Sequence, residues 1–130
     1  MKLLVTGAAG FIGSSVAMRL LSRGDEVVGI DNLNDYYDVS LKQARIERLR
    51  TSPRFEFERV DIVDRAAMTT IWDRRKFDVI AHFAAQAGVR YSIGNPETYI
   101  DVNLVGFANV LEGARRSGVS HFVFASSSSV

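Results

Sequence analysis

Three glycines near the amino terminus, Gly7, Gly10 and Gly13, have a spacing that indicates phosphate binding. They follow a short apolar run, residues 2–6, that we predict to be a β-strand, and they lead into a stretch of helical periodicity. A strand, a glycine turn and a helix in this order place the first amides of the helix beside a phosphate. Gly7 would allow a sharp exit from the strand, Gly10 a close approach to a pyrophosphate, and Gly13 close packing of the helix. The pattern predicts a dinucleotide-binding turn, with a plain turn of small residues as the alternative.

Acidic residues follow two later predicted strands. Asp31 directly follows the strand at 26–30 and lies eighteen residues after Gly13. At this position of a dinucleotide-binding fold, a carboxylate hydrogen-bonds the adenosine ribose hydroxyls of NAD. The same carboxylate would repel the 2′-phosphate of NADP. Asp61 follows the strand at 55–60 and could accept a hydrogen bond from the adenine amino group. Both would lie at the carboxyl edge of a parallel sheet, where ligands bind in open α/β folds, although each could instead cap a turn.

The segment between these two strands is basic. Ser40 and Gln43 have the spacing of a capping box, which predicts a short helix that reaches about Arg50. We interpret the cations of this helix as a solvated face rather than as phosphate contacts. These cations are Lys42, Arg45, Arg48 and Arg50.

The second half of the chain continues the alternation of strands and helices. A strand at 77–83 contains His82, which we interpret as a buried histidine rather than a catalyst, and a loop of small residues follows at 84–90. A helix at 96–117 has apolar residues on more than one face, so that one face would pack on the sheet and the other could meet a partner subunit. A fifth strand is predicted at 121–125.

This alternation predicts an α/β fold with a doubly wound parallel sheet and right-handed crossovers. We predict five strands in the order 3-2-1-4-5, which is the arrangement of a Rossmann-type domain, over residues 1–130. The length suffices for one domain, and the hydrophobic content of 47% is ordinary for a globular protein.

Composition narrows the classes of function. The net charge is +1, which gives no general reason to expect nucleic acid or membrane partners. The sequence has no cysteine, which excludes disulfides and Cys-ligated metals and fits a reducing compartment. No apolar run approaches membrane-spanning length. We therefore expect a cytoplasmic protein that has no metal site.

The motifs together resemble those of the extended short-chain dehydrogenase/reductase family. The similar stretches are the glycine turn, Asp31, residues 61–62, residues 84–86 and the serine run at 126–129. Among the NAD-dependent epimerases and dehydratases of that family, the chain looks most like the UDP-glucuronate 4-epimerases. This narrower likeness lies in residues 31–38, 84–90 and 125–130. The resemblance covers the whole chain.

The resemblance implies an enzyme with tightly bound NAD that inverts C4 of a UDP-sugar through a transient 4-keto intermediate. In that family the base is a tyrosine with a lysine four residues later. Ser127 would share the hydrogen bond to the reacting oxygen, and Ser128 would line the substrate pocket. Arg90 would hold a uronate carboxylate, with a plain surface arginine as the alternative. The predicted NAD contacts are Gly7, Gly10, Phe11, Ile12, Gly13, Asp31, Asn32, Asn34, Asp61, Ile62, Ala84, Ala85, Gln86 and Asn103.

The catalytic pair of the family is missing, since the 130 residues contain no Tyr-x-x-x-Lys. We therefore expect an incomplete NAD-binding domain, without the substrate domain, that binds NAD but is inactive alone. Ser128 and Ser129 stand where the dehydratases and decarboxylases of the family carry carboxylates, which favours simple epimerisation. UDP-glucose 4-epimerase, a dehydratase or decarboxylase, and a free-standing NAD-binding module remain alternatives. The resemblance also implies a homodimer through the helix at 96–117.

Overall fold

A parallel five-stranded sheet forms the centre of the fold. The computed structural model of the chain describes residues 1–127. The strands are β1 (Lys2–Thr6), β2 (Glu26–Asp31), β3 (Phe55–Arg59), β4 (Val79–His82) and β5 (His121–Phe124). Their order is β3-β2-β1-β4-β5, and every neighbouring pair is parallel, which confirms the predicted topology. Val5 in the central strand pairs with Gly29 on one side and with Ala81 on the other.

Helices connect the strands and cover both faces of the sheet. They are α1 (Phe11–Arg23), α2 (Val39–Arg50), α3 (Arg65–Arg74), α4 (Val89–Gly94), α5 (Pro96–Ile100) and α6 (Phe107–Ser117). A π-helical segment, Asp101–Gly106, joins α5 to α6.

The two faces of β1 belong to two different hydrophobic cores. Leu4 packs in the core covered by α3 and α6, whereas Val5 packs in the core covered by α1 and α2. Both side chains are fully buried because successive residues of a strand point to opposite faces. A strand that is covered on both faces has no polar side, which explains the continuous apolar run of β1 in the sequence.

The start of α2 differs from the prediction. The capping residue is Asp38, whose Oδ1 accepts hydrogen bonds from the Ser40 amide at 2.8 Å and from the Ser40 hydroxyl at 2.7 Å. The predicted capping box at Ser40 and Gln43 is therefore wrong, because Ser40 is already a residue of the helix and its hydroxyl donates to the capping residue, Asp38. Aspartate accepts from helix amides as readily as serine does.

Four strands have slightly different bounds from those predicted. The ladder of β4 covers only Val79–His82 rather than 77–83, because the amide of Ala84 turns to the side chain of Thr6. β2 ends at Asp31, one residue later than expected, whereas β3 ends at Arg59 and β5 ends at Phe124, each one residue earlier than expected.

The segment from residue 84 to residue 117 is more broken than predicted. Helix α4 begins at Val89, inside the stretch expected to be a loop, directly after Gly88 with its left-handed φ of 96°. The long helix predicted at 96–117 is interrupted by the π-helical segment, whose wider turn carries Asn103 towards the loop after β4. Short π-helical segments often occur at functional sites. This one contributes Val102 to a cleft at the carboxyl edge of the sheet.

Within residues 1–127, no helix has both the length and the apolar character needed to cross a membrane.

Candidate functional site

The glycine turn is packed tightly on two sides. Gly7 has a left-handed φ of +67°, and a Cβ at this position would lie 2.8 Å from the amide nitrogen of Ala84. A Cβ at Gly13 would lie 2.7 Å from the carbonyl carbon of Gly7 and nearer still to its oxygen. Both positions therefore require glycine, and together they bring the start of α1 against the end of β1.

The third glycine has an open side. Among the described residues, the carbonyl oxygen of Gly7, at 3.1 Å, is the only atom that a Cβ at Gly10 would meet within 4 Å. Gly10 is also the N-cap of α1, and in the part of the chain that the structure describes no side chain caps this helix end. The first-turn amides of a helix need acceptors from outside the helix, and its positive dipole end favours an anion. The amino-terminal end of α1 can therefore accept a phosphate.

Asp31 joins the glycine turn to the loop that follows β2. Its Oδ2 accepts a hydrogen bond from the Ala9 amide at 3.1 Å, and its Oδ1 accepts one from the Leu33 amide at 2.8 Å. Leu33 has a left-handed φ of 55°, which marks a sharp turn of the loop at this carboxylate. A carboxylate offers about four acceptor sites, so Asp31 keeps acceptor capacity for ligand hydroxyls.

The loop after β3 approaches the loop after β2 at the same edge. Asn32 donates a hydrogen bond from Nδ2 to Asp61 Oδ2 at 3.2 Å, and the other oxygen of Asp61 accepts from the Val63 amide at 3.0 Å. Asn109 of α6 donates to the carbonyl oxygen of Ile62 at 2.8 Å. Both predicted residues of this loop, Asp61 and Ile62, are thereby held at the carboxyl edge of the sheet.

Lys42 is a functional candidate that the sequence analysis missed. Its side chain was expected on a solvated face, but only 5% of the residue is exposed. Its ammonium donates hydrogen bonds to the main-chain oxygen of Asn34 at 2.9 Å and to the side-chain oxygen of Asn34 at 2.6 Å. Burial lowers the pKa of Lys42, and the nearby Asp31 carboxylate opposes that shift. The spacing of Lys42 with the buried Ile46 and Leu49 was a signal in the sequence, since residues i, i+4 and i+7 share one helix face.

The loop after β4 is held by the π-helical segment. Oδ1 of Asn103 accepts from the Gln86 amide at 2.9 Å, and Nδ2 of Asn103 donates to the Gln86 carbonyl oxygen at 3.1 Å. Both polar groups of the Asn103 side chain therefore support the backbone of this loop. Asn103 lies behind the surface of the cleft, while Gln86 lines it.

A group of three tyrosines lies beside the end of the loop after β4. The rings of Tyr36 and Tyr91 meet edge to face with centroids 5.0 Å apart, and the Tyr99 hydroxyl donates to the carbonyl oxygen of Gly88. Burial raises the pKa of Tyr99, and the neighbouring hydroxyls of Tyr36 and Tyr91 raise it further. The contact between Tyr36 and Tyr91 links the loop after β2 to α4.

These elements surround a cleft of about 170 Å³ at the carboxyl edge of the sheet. Ten of the predicted NAD contacts line it: Gly7, Gly10, Asp31, Asn32, Asn34, Asp61, Ile62, Ala84, Ala85 and Gln86. The other four do not line it. Phe11 and Ile12 are exposed at the start of α1, Gly13 is buried behind the turn, and Asn103 supports Gln86.

The residues predicted to contact the substrate are not gathered around the cleft as the predicted NAD contacts are. Ser127 is exposed and lies three residues beyond the end of β5. Arg90 is exposed on α4 and is not among the described residues that line the cleft, although its neighbour Tyr91 lines a wider depression beside it. Ser128 lies outside the described residues.

His82 is also near this edge but points to the interior of the fold. It is buried, and its burial lowers the pKa to about 4, so the imidazole is neutral at physiological pH. The rings of Phe107 and Phe122 lie 5.4 and 6.2 Å from the imidazole. This environment agrees with the interpretation of His82 as a buried histidine.

A comparison of the sequence with models of known protein families shows the family of the chain. The family described as GDP-mannose 4,6 dehydratase matches residues 4–130. The chain belongs to this family. Its membership confirms the resemblance to NAD-dependent epimerases and dehydratases that the motifs indicated.

Similar proteins of the family include an uncharacterized 37.6 kDa protein from Escherichia coli O111:H-, 55% identical over 130 residues, and a UDP-glucuronate 4-epimerase from Thermodesulfobacterium geofontis, 46% identical over 127 residues. These matches cover 100% and 98% of this chain, which spans only 39% of the length of each relative. The crystal structure of UDP-glucuronic acid 4-epimerase from Bacillus cereus, in complex with UDP-glucuronic acid and NAD, has a TM-score of 0.88 at 38% identity. That match covers 100% of this chain and 41% of the Bacillus cereus chain.

Proposed function

We propose that this chain is the NAD-binding part of an epimerase that inverts C4 of UDP-glucuronate. The observation that carries the proposal is the cleft itself, where the glycine turn, Asp31 and the loop after β4 meet at one edge of the sheet. Two similar proteins support the choice of sugar. The Thermodesulfobacterium geofontis relative is a UDP-glucuronate 4-epimerase, and the Bacillus cereus structure contains both UDP-glucuronic acid and NAD.

The side of the cleft formed by the glycine turn suits the adenosine diphosphate half of NAD. The first-turn amides of α1 would bind the pyrophosphate over the open side of Gly10, and Asp31 would accept from the ribose hydroxyls. Asn32 and Asp61 would approach the adenine. The Asp31 carboxylate would repel a 2′-phosphate, which favours NAD over NADP. When bound, NAD supplies a reversible acceptor for the hydride on C4 of the sugar.

The sugar would lie beside the cleft, near α4 and the carboxyl end of β5. Ser127, after the carboxyl end of β5, would donate a hydrogen bond to the reacting oxygen on C4. Arg90 would bind the uronate carboxylate, because a planar guanidinium can donate two parallel hydrogen bonds to it. The proton of the C4 hydroxyl needs a base, and these 130 residues contain no Tyr-x-x-x-Lys pair to supply one. We therefore expect the chain alone to bind NAD without turning over a UDP-sugar.

A second copy of the chain is the partner that we propose for the helical stretch at 96–117. Ile100, Leu104 and Leu111 on this stretch are apolar and exposed, while Val110 and Ala114 are buried against the sheet. An apolar face of this kind supports association through these helices.

The proposal can be tested with a chimera in which residues 1–130 are joined to the remainder of the Thermodesulfobacterium geofontis enzyme. We expect the purified chimera to contain NAD and to convert UDP-glucuronate into UDP-galacturonate, while residues 1–130 alone produce none. An Arg90→Ala chimera should lose more activity on UDP-glucuronate than on UDP-glucose.

Other outcomes of the same assay would contradict the proposal. Conversion of UDP-glucose without conversion of UDP-glucuronate would make the protein a UDP-glucose 4-epimerase. Release of carbon dioxide or of water from the sugar would identify a decarboxylase or a dehydratase. A folded chimera without NAD would overturn the assignment of the cofactor.

A further inference from the structure

Arg45, in the middle of α2, reaches across to the glycine turn. Its Nη1 donates hydrogen bonds to the carbonyl oxygen of Ala9 at 3.1 Å and to the hydroxyl of Tyr37 at 2.9 Å. Its guanidinium lies over two aromatic rings, 5.8 Å from the centroid of Tyr37 and 5.9 Å from that of Phe11. The sequence analysis placed Arg45 on a solvated face, but the structure shows it half-buried between the turn and the loop after β2.

The carbonyl that Arg45 binds belongs to the peptide unit that leads into the open glycine. The carbonyl of Ala9 and the amide of Gly10 lie in one plane, because the peptide bond is planar. Arg45 binds the oxygen of this peptide unit, which is the carbonyl oxygen of Ala9. The N–H of the same unit, which belongs to Gly10, donates to the carbonyl oxygen of Gly7 at 2.9 Å. Asp31 holds the preceding amide, that of Ala9. The orientation of the backbone on which a phosphate would rest is thus fixed from both ends.

We propose that Arg45 is a positioning residue for the phosphate-binding turn, and that Tyr37 keeps its guanidinium in place. Arg45 acts through the carbonyl of Ala9, so it orients the first-turn amides of α1 without touching the ligand itself. Tyr37, in the loop after β2, accepts a hydrogen bond from the guanidinium and so keeps it beside the turn. This inference rests on the proposed binding of NAD.

The proposed role of Arg45 predicts which ligands should lose affinity when this residue is replaced. A residue that orients the turn affects binding of the phosphates, whereas the adenosine moiety is bound mainly through Asp31 and the loops after β2 and β3. Replacement of Arg45 should therefore weaken ADP much more than adenosine. A residue that only stabilises the fold would weaken both ligands together.

The test compares Arg45→Met with Arg48→Met, a matched control one turn further along α2 whose side chain is exposed. Calorimetric titration with ADP should show a loss of affinity of roughly tenfold for Arg45→Met and little change for Arg48→Met. Adenosine affinity should change less than about twofold in either variant. Arg45→Lys, which keeps the charge but not the planar fork, should restore only part of the ADP affinity.

Each other result overturns the assignment. Equal ADP affinity in Arg45→Met and Arg48→Met, or an equal loss for ADP and adenosine, would remove the positioning role while leaving the proposed function intact. Full recovery in Arg45→Lys would show that charge alone acts there. If the unsubstituted chain bound neither ADP nor NAD, the proposed function would fail and this inference with it.

Discussion

The hydroxyl oxygen of Thr6 lies 2.7 Å from Nδ1 of His82, in the neighbouring strands β1 and β4. The same oxygen accepts hydrogen bonds from the amides of Phe83 and Ala84, each at 3.1 Å. A hydroxyl has two acceptor lone pairs, and both are used, so its proton must point to His82. Nδ1 of His82 is therefore an acceptor, and the neutral imidazole carries its hydrogen on Nε2. This arrangement anchors the start of the loop that lines the cleft.

The buried neutral His82 predicts a loss of stability in mild acid. The pKa is lowered from 6.5 to about 4 in the folded chain, so between these values the unfolded chain binds a proton that the folded chain does not. The free energy of unfolding should be unaffected by this group above pH 6.5 and should fall as the pH drops towards 4, by about 3 kcal/mol in total. Urea unfolding of the chain and of His82→Asn at several pH values measures this contribution.

The other histidine provides the control for that experiment. His121 is exposed at the start of β5, so His121→Gln should keep the pH dependence of the unsubstituted chain. If His82→Asn and the unsubstituted chain lost the same free energy between pH 6.5 and pH 4, the burial of a neutral imidazole would not be the cause.

Two glycines of the turn should respond differently to substitution by alanine. Gly10 has φ −75° and ψ 169°, which alanine adopts without backbone strain. Its added methyl would lie 3.1 Å from the carbonyl oxygen of Gly7, which must shift slightly, and would otherwise face the open side of the turn. Gly10→Ala should therefore change the free energy of unfolding by less than about 1 kcal/mol but weaken NAD binding by at least about tenfold. Gly13→Ala would drive a methyl into the carbonyl of Gly7 and should cost about 3 kcal/mol. Thermal unfolding and calorimetric titration separate the two effects, and a Gly10→Ala protein that bound NAD normally would place the phosphate elsewhere.

The opposite charges of Asp31 and Lys42 beside the cleft should together set the preference between NAD and NADP. Asp31→Asn removes the charge that repels a 2′-phosphate and leaves the ammonium of Lys42 beside the cleft. We expect the ratio of NADP to NAD affinity to rise by roughly tenfold in Asp31→Asn and to fall again in the double variant with Lys42→Met. Competition titrations with the two cofactors measure this ratio. A ratio that Asp31→Asn left unchanged would show that the carboxylate does not face the adenosine ribose.

Asn103 should contribute to stability through Gln86. Asn103→Ala removes both hydrogen bonds to the Gln86 backbone and leaves an amide and a carbonyl without their side-chain partner. We expect the free energy of unfolding to fall by about 2 kcal/mol, as is usual for buried polar groups that lose partners. Urea unfolding measures the change. A variant of unchanged stability that bound NAD more weakly would instead indicate that Asn103 contacts the cofactor directly.

Much of the fold and of the cleft could be predicted because the responsible signals are local. The turn at Gly7, Gly10 and Gly13 follows β1 directly, and Asp31 follows β2 directly, so each residue is placed by its own strand. Parallel strands joined by helices then bring their carboxyl ends to one edge. The strand order 3-2-1-4-5 was predicted as the arrangement typical of Rossmann-type domains, and the structure confirms it.

The features that the sequence analysis missed depend on tertiary contacts. Lys42 and Arg45 are charged, and composition alone placed them in solvent. The loop after β2 and the glycine turn supply acceptors that allow Lys42 to be buried and Arg45 to be half-buried. The π-helical segment could not be predicted from apolar spacing, because it is associated with the hydrogen bonds between Asn103 and Gln86. The start of α2 was misplaced because Asp38 and Ser40 are both good capping residues.

The most direct test of the central claim is a calorimetric titration of the folded chain with NAD and, separately, with NADP. If the cleft at the carboxyl edge is a dinucleotide site, NAD should bind saturably at one site per chain, more tightly than NADP, and Gly10→Ala should abolish most of the signal. If a chain with the circular dichroism of an α/β fold bound neither cofactor, the cleft would not be a cofactor site, and the proposed function would be wrong.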